Sequence, residues 1–119
     1  MKTLLLIALF VTTSVFAGPR EAYQEMLEGK AVFLDVREND EVMAGMIKGA
    51  KWIPLTEMET SPTETITKVK EVAAGKNIYL YCRSGRRSQI FLDHMNRAGV
   101  SGKNLGGYQD LVKEGLPSL

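Results

Sequence analysis

Asn77-Ile78-Tyr79-Leu80-Tyr81-Cys82-Arg83-Ser84-Gly85-Arg86-Arg87-Ser88 changes character at its cysteine. Up to Cys82 it is a short apolar run of strand length, the pattern of a strand covered on both faces. Beyond Cys82 it is cationic and contains a glycine, and from Ser88 to Ala98 it reads as a helix with Phe91, Leu92, Met95 and Ala98 on one face. A buried strand that runs through a loop into an amphipathic helix is half of a βαβ unit. In open parallel sheets, ligands bind beyond the carboxyl end of such a strand.

Working outward, the same alternation repeats. Ala31 to Val36 is a second continuous apolar run, and Lys51-Trp52-Ile53 a third short strand ended by Pro54. Val100 to Leu105 contains a last strand. Pro19 opens a helix with Tyr23, Met26 and Leu27 facing inward, and a brief helix carrying Glu41 and Val42 follows Asn39. Ser61-Pro62-Thr63-Glu64 has the form of a capping box and launches a helix bearing Ile66, Val69 and Ala73, closed by Gly75. Gly106-Gly107 leads into a final helix with Tyr108, Leu111 and Val112 inward. The expected fold class is α/β, a small parallel sheet with helices on both faces.

Composition narrows the function. Fifteen Lys and Arg against fourteen Asp and Glu leave a net charge of +1, which removes the global electrostatic case for a nucleic-acid partner. One Cys and one His exclude an internal disulfide and argue against a metal site; no cofactor is implied. Met1-Lys2, the apolar run that follows and the ending Val15-Phe16-Ala17 have the anatomy of a secretory signal peptide. The expected organisation is a signal peptide over 1–17 and one domain over 18–119. The location is then periplasmic or secreted, with no stable membrane association after cleavage.

The chemistry is concentrated after Cys82. Gly85 permits backbone N–H groups to converge on one point, and the helix that follows turns its positive end there. Arg83, Arg86 and Arg87 add full charge beside the thiol, with Ser84 and Ser88 between them. Each effect favours thiolate over thiol. Cys82 is the candidate nucleophile, and Arg83, Ser84, Gly85, Arg86, Arg87 and Ser88 are the candidate substrate cradle. Arg87, last in the loop, is expected opposite Cys82, and Arg83 to be thrown outward. Asp35 and Arg37 end the neighbouring strand and are candidates for the pocket wall, with Arg37–Glu41 an i, i+4 ion pair. His94 is expected on a solvated helix face, and Trp52 in the core or at its rim.

Three segments together resemble the rhodanese family. They are Leu34-Asp35-Val36-Arg37 with Glu41 and the stretch Gly45 to Pro54, then Tyr81 to Ser88, then Leu105-Gly106-Gly107-Tyr108 with Gly115-Leu116-Pro117. In size and export signal the chain is similar to exported single-domain rhodaneses of the phage shock protein E type. It departs from the family where Met46 replaces a usual His, Lys48 a common Pro and Leu111 a common Trp. No room remains before the first helix for the edge strand of longer members, so a sheet of about four or five strands is expected.

The resemblance implies thiosulfate sulfurtransferase chemistry. A sulfane sulfur would pass from a small anionic donor to Cys82 as a persulfide, and then to cyanide or a thiol acceptor. Two alternatives stand beside it. One is a persulfide carrier or sulfide-binding module without turnover. The other is a cysteine-dependent phosphatase or arsenate reductase, which places an Arg six positions after the Cys. Here that position is Ser88, and Arg87 comes one residue early, which makes a tighter ring.

Overall fold

A computed structural model describes residues 18–119. The signal-peptide expectation for residues 1–17 lies outside the described residues. The order of elements is α1 (Pro19–Leu27), β1 (Ala31–Asp35), α2 (Asn39–Met43), β2 (Lys51–Trp52), α3 (Leu55–Thr60), α4 (Pro62–Ala73), β3 (Asn77–Cys82), α5 (Arg86–Arg97), β4 (Lys103–Gly107) and α6 (Tyr108–Lys113). The four strands form one parallel sheet in the order β2-β1-β3-β4.

The period-two alternation of the central strands sorts side chains between two cores. Val32 and Leu34 of β1, with Ile78, Leu80 and Cys82 of β3, face the core completed by α3, α4 and α5. Ala31, Phe33, Tyr79 and Tyr81 face the opposite core, completed by α1 and α6. Because both faces are covered, the central strands read as unbroken apolar runs.

Local structure departs from the sequence expectations at several points. The helix α3 is absent from the sequence expectation: Pro54 ends β2 but also caps α3, which buries Leu55 and Met58 at i, i+3 spacing. Ser61 lies between α3 and α4, and its side chain makes no capping hydrogen bond, so the Ser61–Glu64 capping box does not form. Thr65 instead donates its hydroxyl to the Glu57 carbonyl at 3.0 Å. In α1, Ala22 is the buried residue and Leu27 is 64% exposed, because a small side chain lets the helix lie close against β1. Glu25 of α1 accepts hydrogen bonds from Asn77 and Tyr79, which pins that helix to β3. The helix after the cysteine begins at Arg86 rather than Ser88, and Ala98, beyond its last turn, is exposed while Val100 packs inward.

Charge enters the core at the end of β1. Asp35 is fully buried, and Arg37 donates to both of its carboxylate oxygens, at 3.0 and 2.7 Å. Arg37 also donates to the Gly45 carbonyl at 2.6 Å and lies 4.3 Å from the Tyr108 ring centre. Its carboxylate partner is therefore Asp35 and not the Glu41 that i, i+4 spacing predicts. Two residues of an extended turn bring Asp35 closer than one turn of α2 brings Glu41. The Tyr81 hydroxyl accepts from the Ile47 N–H at 3.0 Å, and burial together with Asp35 keeps the phenol neutral by raising its pKa. Removing one partner of such a pair strands a buried charge. Arg37→Met is expected to destabilise the fold by about 3–5 kcal/mol in urea denaturation. A loss below about 1 kcal/mol would mean that the pair behaves as a surface ion pair.

Candidate active site

Cys82 ends β3 and is buried at the base of the turn that follows. The chain then turns in three residues, and Gly85, with φ of 95°, adopts a conformation that favours glycine and caps α5. This turn swings the Gly85 N–H back onto the cysteine, where it donates to Sγ at 2.9 Å. Ser88, one turn into α5 and fully buried, brings its Oγ to 3.4 Å from the same sulfur. Burial opposes ionisation of Cys82. Donation from the Ser88 hydroxyl and from the N–H groups of Ser88, Ser84 and Gly85 outweighs it and holds the thiol below its ordinary pKa.

The three arginines do different things. Arg87 forms a two-pronged pair with Glu41 of α2, at 2.6 and 2.8 Å. Arg87 donation, set against burial, lowers the Glu41 carboxyl to about 2. The pair's stabilisation is complete above the unfolded carboxyl's pKa of about 4.5 and fades as pH falls toward 2. Arg83 and Arg86 are exposed and hold no ion pair among the described residues. Arg83 borders a cavity of about 310 Å³ together with Arg37, Gly45 and Tyr108. Of the two candidate wall residues, Arg37 thus faces this cavity, while Asp35 lies behind it holding Arg37. Trp52 is 39% exposed on the edge strand and donates its indole N–H to the Arg37 carbonyl at 2.8 Å, so it belongs to the rim.

One contributor was not singled out from the sequence. Asn104, in β4, donates from Nδ2 to the Gly85 carbonyl at 2.8 Å. Its Oδ1 accepts from the Ser88 hydroxyl at 2.7 Å and from the Gly106 N–H at 3.0 Å. An Asn within a five-residue strand is a poor strand former, and that misfit is the available signal. The neighbouring glycines make the contact possible. Gly107 pairs with Cys82, and a Cβ on it would clash with the Arg83 carbonyl.

This arrangement can stabilise a sulfur anion in a buried setting, present it as a nucleophile and offer cations to an anionic reactant. A family model described as Rhodanese-like domain matches residues 19–114. The Schizosaccharomyces pombe protein named "Putative thiosulfate sulfurtransferase, mitochondrial" is 34% identical over 83 residues, which are 65% of this chain and 57% of that protein. The tRNA uridine(34) hydroxylase of Bacillus cereus (strain B4264) is 31% identical over 87 residues, 73% of this chain and 27% of that protein. The chain therefore spans little more than half the length of the first relative and about a quarter of the second. Among solved structures, a rhodanese-related protein from Thermoplasma volcanium aligns with a TM-score of 0.68 at 25% identity, covering 87% of this chain and 95% of that one. Nearly all of the described residues match the family model, and the parallel sheet flanked by helices agrees with the fold of that solved structure: the chain belongs to the rhodanese-like family.

Proposed function

We propose that the chain is a sulfurtransferase that carries sulfur as a persulfide on Cys82. The observation that carries this reading is the Cys82 sulfur itself, met at 2.9 Å by the Gly85 N–H at the mouth of α5. The Cys82 thiolate attacks the outer sulfur of thiosulfate or a similar anionic donor. A new S–S bond forms, the donor's S–S bond breaks, and sulfite leaves with the electron pair. The persulfide anion then occupies the turn, where backbone N–H groups face its charge as they would an oxyanion. Attack by cyanide on the outer sulfur releases thiocyanate and restores the thiolate; a thiolate acceptor leaves instead with a persulfide of its own.

Intact mass of the purified protein is expected to rise by about 32 Da after thiosulfate and to fall back after cyanide. Cys82→Ser removes both changes while keeping the fold. A Ser variant that still gains sulfur overturns the reading. Mass gain without turnover would identify a carrier instead of an enzyme, and efficient hydrolysis of an aryl phosphate would favour the phosphatase alternative.

Arg83 and Arg86 are the arginines free to meet the donor, since Glu41 occupies the forked face of Arg87. Arg83→Ala and Arg86→Ala are each expected to raise the thiosulfate KM roughly tenfold, the loss of one charge-assisted contact. Arg87→Ala is expected to act mainly on thermal stability. Steady-state kinetics of the three variants, beside their melting curves, checks the division. A larger KM effect from Arg87→Ala would return it to the donor site.

The signal-peptide pattern that runs from Met1-Lys2 to Val15-Phe16-Ala17 supports placing this chemistry outside the cytoplasm. N-terminal sequencing of the native protein is expected to begin within a residue or two of Gly18.

A further inference from the structure

The backbone N–H groups around Cys82 are fixed donors, whereas the Ser88 hydroxyl can rotate. It carries one hydrogen and has two acceptors within reach, Asn104 Oδ1 at 2.7 Å and Cys82 Sγ at 3.4 Å. Asn104 cannot give way by turning its amide over. Oδ1 already accepts from the Gly106 N–H, and Nδ2 donates to the Gly85 carbonyl and reaches Gln89 Oε1 at 3.4 Å. A flipped amide would set donor against donor and oxygen against oxygen.

We infer that Asn104 is a positioning residue that parks the Ser88 hydroxyl hydrogen while the Cys82 sulfur is neutral and releases it to that sulfur when it becomes a thiolate. An amide oxygen is a better acceptor than a thiol and stands closer, so it holds the hydrogen in the neutral state. A thiolate is a charged acceptor and pulls the hydrogen across. The inference rests on the persulfide reading for its catalytic meaning. In the persulfide, the charge sits on the outer sulfur and the hydroxyl returns to Asn104. As the acceptor takes that outer sulfur, the S–S bond breaks and its electron pair passes to Sγ. The hydroxyl then swings to the leaving thiolate. The stabilisation is greatest at the moment charge arrives, which speeds the step instead of merely tightening the resting state.

The charged groups beside the turn are Arg83 and Arg86 within it, the Arg87–Glu41 pair joining α5 to α2 with Glu38 next to it, and Arg37–Asp35 at the end of β1. They are common to every variant below. The test is the pH profile of Cys82 alkylation by iodoacetamide, which reads the thiolate whether or not sulfur transfer takes place. Asn104→Leu removes the competing acceptor, and the midpoint is expected to fall by about half a unit to one unit. In a Ser88→Ala background the same change is expected to leave the midpoint where Ser88→Ala alone puts it. A merely structural Asn104 would loosen the turn, raise the midpoint and do so equally in both backgrounds; that result overturns the inference. Should Asn104→Leu not fold, Asn104→Asp serves in its place. Its carboxylate retains the hydrogen, so the midpoint rises, and rises less in the Ser88→Ala background. An equal rise in both would be charge alone and would also overturn the inference. Failure of the persulfide reading would appear separately, as absence of the mass gain with thiosulfate.

Discussion

The end of β4 is pressed against the turn after Cys82 more closely than any side chain at Gly107 would allow. A Cβ there would stand well inside contact distance of the Arg83 carbonyl, and a Cβ at Gly85 would be 3.1 Å from the Gly106 Cα. Two backbones touching without side chains between them put Asn104 within reach of both Gly85 and Ser88. The register irregularity between Leu80 and Cys82 occurs where this approach happens. The cysteine's donors are therefore held from two sides, by their own turn and by the neighbouring strand.

Charge is apportioned by depth. The Asp35–Arg37 pair is almost wholly buried and joins the end of β1 to Gly45 and Tyr108, so it fixes the floor beside the turn. The Glu41–Arg87 pair is partly exposed and links α2 to the first turn of α5. Arg83 and Arg86 stand outermost. A buried sulfur anion thus has neutral N–H dipoles in contact with it and full charges further away. That order avoids burying an unpaired guanidinium against the core.

Much of this was legible in the residues. Strand identity followed from apolar runs that only a doubly covered sheet produces, and the turn after Cys82 followed from Gly85 beside cations. The misses share a cause, which is that pairing partners are chosen in three dimensions. Glu41 is one helical turn from Arg37 in sequence, but the fold gives it Arg87, 46 residues away. Ser61 has the composition of a cap, but the sharp junction between α3 and α4 directs its backbone elsewhere. Asn104 announces nothing by spacing, because its partners come from β3's turn, from α5 and from the strand's own end.

Trp52 is the chain's only tryptophan. Its indole is tied to the carbonyl of Arg37, and more than a third of its surface is open to water. Tryptophan fluorescence therefore has one source, seated on the edge strand where β1 hands over to α2. Its emission follows the hydrogen bond at that junction and the wetness of the rim. It samples neither apolar core directly. Loss of the bond to the Arg37 carbonyl would therefore shift the emission even with both cores intact.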